Sequence, residues 1–176
     1  NLWDGINKGI RASKGQILFI LNSGDVLLKD GLKIADSYFN KYNIDFLFGA
    51  IKKNKIFYKF EPEKLYYRLN IYPSHSGSFF IKLNKQKELG LYDISFDYCA
   101  DYDLFFRMIK KNFKGMCTKK NEVIAKFDMH GMSSKIPIFK SYYYEMKVRF
   151  KNGQNFIFLI FLYLLKILNY FRNRFI

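Results

Sequence analysis

Gly15-Gln16-Ile17-Leu18-Phe19-Ile20-Leu21-Asn22-Ser23-Gly24-Asp25 is the stretch around which the chain is organised. Ile17 to Leu21 is an unbroken apolar run of strand length. A run without polar alternation predicts a strand buried on both faces, as in a parallel sheet covered by helices. It ends abruptly at Asn22-Ser23-Gly24-Asp25. In open α/β sheets ligands sit beyond the carboxyl ends of the strands. Gly24 allows a turn or a close backbone approach, and Asp25 offers an oxygen ligand for a hard divalent cation. The same four residues also read as a plain βα turn.

Working outward, Leu2, Trp3, Ile6 and Ile10 have helical spacing, closed by Lys14-Gly15. A second helix follows Asp30, with Leu32, Ala35, Tyr38 and Phe39 as its inner face. Asp45–Lys52 and Lys55–Phe60 predict a strand pair about Lys53-Asn54, and Pro62 opens a short helix to about Leu69. A loop with His75, Ser76 and Gly77 precedes the strand Phe79–Leu83. A helix near Lys85–Leu89 stops at Gly90, and Asp101–Lys111 is helical. Short strands near Met116 and over Val123–Phe127 lead to a polar turn at His130-Gly131-Met132-Ser133-Ser134. This alternation predicts a three-layer α/β domain.

The 176 residues suit one domain with a real core. Cys99 and Cys117 lie far apart without CxxC spacing, which implies a reducing compartment and no disulfide framework; with only two histidines, a zinc site is not expected. The net charge is +15, but the lysines are scattered over the chain, so a solvated basic surface is expected and nucleic acid is not.

Two aspartates on one helix read differently. Asp101 precedes Leu104 and Phe105 by three and four residues and shares their inward face. A carboxylate there needs a cation or donor to offset its burial, and the helix N-terminus supplies part of that. It reads either as a first-turn aspartate or as a general base within reach of a substrate hydroxyl. Asp103, with Arg107 four residues on, reads as an exposed structural ion pair.

Several segments together resemble the family 2, GT-A-fold bacterial glycosyltransferases that build surface polysaccharides. Asp4-Gly5-Ile6-Asn7-Lys8-Gly9-Ile10 is similar to the family's D-A-M-N-K-G-I helix. Ile17–Leu21 with Asn22-Ser23-Gly24-Asp25 resembles its strand and D-x-D region. Ser74–Phe80 is similar to H-Q-x-x-F-F, Ala100–Arg107 to E/A-D-Y-D-L-x-x-R, and His130–Ser133 to a G-G-x-S turn. The resemblance implies a three-layer α/β/α GT-A domain over residues 1–135, lacking the amino-terminal nucleoside-binding strands, with a basic, hydrophobic helical tail over 136–176.

It also implies an inverting transfer from a nucleotide-diphosphate sugar to a saccharide or lipid-linked saccharide hydroxyl. Asp25 would hold Mg²⁺ or Mn²⁺ on the diphosphate and Asp101 would be the catalytic base. Lys8, Asn22, Ser23 and Gly24 would lie at the donor, and His75 and His130 near the acceptor or diphosphate. Ser23 replaces the first acid of D-x-D, leaving a single carboxylate, so metal affinity would rely on the diphosphate oxygens. Asn1 opens directly into a helical pattern, so the chain reads as a fragment, and without the nucleoside-binding strands it is expected to be inactive alone. The alternative is a degenerate transferase serving as a membrane-associated binding or scaffolding module.

In the tail, Phe156 to Leu165 is continuously apolar or aromatic, short of the roughly 20 residues of a spanning helix. Lys147, Arg149 and Lys151 precede it and Arg172 and Arg174 follow. This predicts either a helix lying in or dipping into an anionic leaflet or one packed on the catalytic domain or a partner, with a true span ranking last. The former gives a cytoplasmic protein peripheral to the inner face of the cell membrane.

Overall fold

The computed structural model describes residues 2–59, 61, 76–131 and 136–173. The expected helix after Pro62, His75, and Met132 to Ser134 of the polar turn lie outside them.

The described chain forms α1 (Leu2–Ala12), β1 (Ile17–Phe19), β2 (Val26–Leu27), α2 (Gly31–Lys41), β3 (Phe46–Phe48), β4 (Ala50–Lys52), β5 (Ile56–Phe57), β6 (Phe79–Lys82), α3 (Leu83–Leu89), α4 (Ala100–Lys110), β7 (Gly115–Cys117), β8 (Val123–Lys126), α5 (Ile138–Lys151) and α6 (Phe156–Arg172). The strands make two four-stranded sheets, ordered β1-β6-β3-β7 and β2-β8-β4-β5. Only β3 with β7 and β4 with β8 run parallel. The expectation of a parallel setting for β1 is corrected, because its described partner is β6, antiparallel, and only Leu18 is fully buried. An apolar run reports burial; strand direction is set by a partner sixty residues away.

Gly49 passes the chain from the first sheet to the second. A Cβ there would lie 2.6 Å from Ile124 Cδ1. The break is bridged by Thr118, whose hydroxyl accepts from Ala50 N at 2.7 Å and donates to Glu122 O at 2.9 Å.

Side-chain alternation sorts the core into two faces. Phe46, Phe48, Phe79 and Ile81 pack with residues of α1, α3 and α4, while Leu47, Phe80 and Ile124 pack with Ala35 and Tyr38 of α2. Helices thus cover both faces, as the three-layer reading requires. Phe48, Phe79 and Phe105 meet pairwise with ring centroids 5.0 Å apart, fixing α4 on the first sheet. Leu32, expected on the inner face of α2, is exposed instead. Gly31 occupies that contact, because a Cβ there would lie 2.6 Å from Ile124 O.

Asn7 of α1 clamps the loop that feeds α4. Its Nδ2 donates to Tyr92 O at 2.8 Å and its Oδ1 accepts from Tyr92 N at 2.9 Å. Trp3 stacks on the Tyr92 ring at 5.3 Å.

Asp103 is a second correction. It is fully buried, taking Arg107 Nε at 2.9 Å, Asn152 Nδ2 at 2.9 Å and Lys151 Nζ at 3.1 Å. Through it and the fully buried Val148, α5 is bound to α4. Helix α6 then packs on α5 by a buried ion triad. Glu145 accepts from Arg149 Nε at 3.1 Å and Lys166 Nζ at 2.7 Å, and both cations are buried. Among the described residues no helix is long and apolar enough to cross a membrane.

Candidate active site

The turn after β1 closes with Asp25 N donating to Asn22 O at 3.1 Å, and Gly24 takes φ +90°, a conformation open to glycine. This aims the half-buried Asp25 carboxylate across the chain. Its Oδ1 accepts from Asp128 N at 2.9 Å, and its Oδ2 faces Asn22 Nδ2 at 3.5 Å. Gly77 abuts the same oxygen so closely that a Cβ would stand 2.5 Å from it. A Cβ on Gly24 would collide with Asp128 Oδ2. Two glycines therefore make room for two carboxylates at one strand tip.

Asp128 Oδ1 accepts from His130 N at 3.0 Å and lies 3.1 Å from His130 Nδ1. The His130 backbone bond, then its ring, holds the Asp128 carboxyl below the usual range. The His130 side chain is 95% exposed, so it projects beyond the pair.

Lys53, on the β4–β5 turn, completes the cluster. Its ammonium lies 4.2 Å from the Phe127 ring centroid and 5.4 Å from that of Phe57. Burial lowers its pKa to about 8, against the field of Asp25, which raises it. A cation held over two rings within the field of a carboxylate is partly desolvated and directed.

Asp101 sits in the first turn of α4, 8% exposed, with Oδ1 accepting from Tyr102 N at 2.9 Å. Its burial agrees with the inward face read from the spacing. Burial first, then the charge of Asp101, pushes the Tyr92 hydroxyl upward. Cys99, two residues earlier, holds φ +66°, which side chains rarely adopt. Backbone outliers of this kind concentrate at functional sites. Segment 77–79 links the two acids: Gly77 abuts Asp25, while Phe79 packs on Phe105, one turn along α4 from Asp101.

The remaining expected residues are placed as follows. Asn22, Ser23 and Gly24 surround Asp25 on the turn. Lys8 is on the outer face of α1, its side chain 73% exposed and bonded to Asp4 at 2.9 Å. Sequence reasoning missed Asp128 and Lys53. The Asp-x-His spacing of Asp128 and His130 was a usable signal, whereas nothing near Lys53 in sequence marks it.

Among the described residues no three ligand-type side chains converge as a ready metal cage. Asp25 and Asp128 are the carboxylates that would hold Mg²⁺ or Mn²⁺ bound mainly by a substrate's phosphates. Mg²⁺ commonly takes one or two carboxylates and fills its shell with phosphate and water oxygens.

The sequence matches no protein-family model and no curated protein. Solved structures of S. aureus TarS do match. The 1–349 form in complex with UDP-GlcNAc has TM-score 0.61 at 12% identity, covering 92% of this chain and 50% of that one. The form in complex with UDP has TM-score 0.56 at 11% identity, covering 92% and 48%. TarS without that boundary has TM-score 0.58 at 11% identity, covering 82% and 26%. The chain thus spans about half the length of the TarS 1–349 structures or less, and over that span it shares their α/β fold.

Proposed function

We propose that the protein to which this chain belongs transfers a sugar from a nucleotide-diphosphate donor to an acceptor hydroxyl, with inversion, in surface polysaccharide synthesis. The observation that carries this reading is the Asp25–Asp128 pair at the β2–β8 end of the second sheet, with Lys53 on the adjoining β4–β5 turn, on a glycosyltransferase fold. The UDP-GlcNAc and UDP in the TarS complexes support a nucleotide-sugar donor.

The acceptor oxygen forms a bond to the anomeric carbon as the bond from that carbon to the diphosphate oxygen breaks. The nucleoside diphosphate leaves with the electron pair, and the acceptor's proton goes to a carboxylate oxygen of Asp101. Asp25 and Asp128 would hold a divalent cation, which neutralises charge on the leaving diphosphate. Lys53 adds a fixed cation, contributing in part what an acid at position 23 would otherwise provide through the metal. Asn22, Ser23 and Gly24 line the donor, with Lys8 assigned to its periphery. His130 reaches toward the diphosphate, the role also assigned to His75.

Substituting Asp101→Asn in the whole protein tests this. Transfer should fall roughly 10²- to 10⁴-fold while affinity for the nucleotide sugar holds. Donor binding with no transfer by the unsubstituted protein would instead support the non-catalytic binding module.

A further inference from the structure

One side of α6 is committed to the protein, through Leu159, Leu162 and Lys166. The other presents Ile157 (77% exposed), Ile160, Phe161 (57%), Leu164 and Leu168 (65%) along one arc. At 100° per residue these positions span less than half the helix circumference. The two helices meet at both ends through ring pairs. Phe150 meets Phe156 with ring centroids 6.0 Å apart, and Phe139 meets Tyr170 at 5.4 Å. Phe139, Tyr143 and Phe150, spaced by four and seven residues, are exposed on a single face of α5. Exposed apolar faces on two neighbouring helices exceed ordinary scattered exposure.

Charge selects the occupant. Glu145 is the only acid on α5 or α6, and both its oxygens are taken by Arg149 and Lys166. Exposed Lys140 and Lys147, seven residues apart, border the α5 aromatics, and Arg172 ends α6. Two copies joined through this surface would oppose like charges across an apolar seam. An anionic bilayer offers hydrocarbon to the strip and phosphate to its rim.

We infer that the α5–α6 face is a membrane-docking surface that lies flat on an anionic bilayer, with α6 in the interface plane. This inference is independent of the sugar-transfer reading.

The full chain should float with vesicles of phosphatidylglycerol and phosphatidylcholine, and much less with phosphatidylcholine alone. Replacing Ile157, Phe161 and Leu168 together by serine leaves the packed side of α6 untouched and should weaken flotation by about tenfold or more. Lys140→Glu with Lys147→Glu should weaken binding to the anionic vesicles by about tenfold and leave the neutral ones unchanged. Should the serine variant fold poorly, Phe161→Trp gives a second readout against the single, buried Trp3. Its emission should shift to shorter wavelength on adding anionic vesicles. No flotation, no shift, or a dimer dissolved by the serine variant without vesicle binding would overturn the inference.

Discussion

The strand tip where β2 meets β8 and the α4–α5–α6 layer handle charge in opposite ways. In the helical layer, the buried Asp103 collects Arg107, Lys151 and the buried Asn152, and Glu145 collects the buried Arg149 and Lys166. Burial there raises the Glu145 pKa and lowers that of Lys166, so each group depends on the other for its charge. At the strand tip, Asp25 takes the Asp128 N–H and, at 3.5 Å, the Asn22 amide, and Asp128 takes the backbone and ring of His130, both carboxylates lying against glycines and partly open to solvent. Saturated, buried charges hold helices together; lightly held charges at a sheet's edge retain lone pairs for a ligand.

The sharpest way to break this contrast lies within one helix. Asp103→Ala removes the centre of a buried network and should cost about 3 kcal/mol or more of stability. Asp101→Asn, two residues away, should leave the melting temperature within a few degrees of the original while lowering transfer roughly 10²- to 10⁴-fold. Equal melting temperatures for both variants would undo the distinction. Next in size is Gly77→Ala, whose Cβ would stand 2.5 Å from Asp25 Oδ2. Displacing that carboxylate should weaken nucleotide-sugar binding roughly tenfold (about 1.4 kcal/mol), measured by calorimetry on the whole protein.

Lys53→Met keeps the packing against Phe57 and Phe127 and removes the charge. The KM for the donor should rise by roughly fivefold (about 1 kcal/mol), with Lys53→Arg restoring part of it; an unchanged KM would dismiss the lysine as packing. The smallest effect concerns Asp93, which joins the loop before α4 to Lys151 at 2.7 Å. Burial opposes its charge, but bonds from Lys151 and Ser95 prevail and lower its pKa to about 2. A lowered carboxylate pKa adds stability that is complete above the unfolded value near 4 and is lost as pH falls through about 2. The difference in melting temperature between the original and Asp93→Asn should therefore shrink from pH 5 to pH 2.

Much of the scaffold was legible because it is local. The 3.6-residue period gave α1, α2 and α4 and the inward face of Asp101, Lys53-Asn54 gave the β4–β5 turn, and Gly90 gave the end of α3. Relations between distant residues were not legible. The antiparallel pairing of β1 depends on β6. Asp103 read as exposed because only Arg107 is near it in sequence, whereas Lys151 and Asn152 come from 48 and 49 residues on. Asp128 reaches Asp25 across 103 residues, and Lys53 acts through a field that no spacing reveals. The acid of the strand tip could be read; its partners required the fold.

The central claim is that the strand tip exists to hold a diphosphate. Titrating UDP with Mg²⁺ into the whole protein and its Asp25→Asn variant tests it directly. The account predicts saturable binding, weakened at least about tenfold by the substitution (1.4 kcal/mol or more) with no change in melting temperature. Equal affinity in both proteins, or no binding to either, would contradict it.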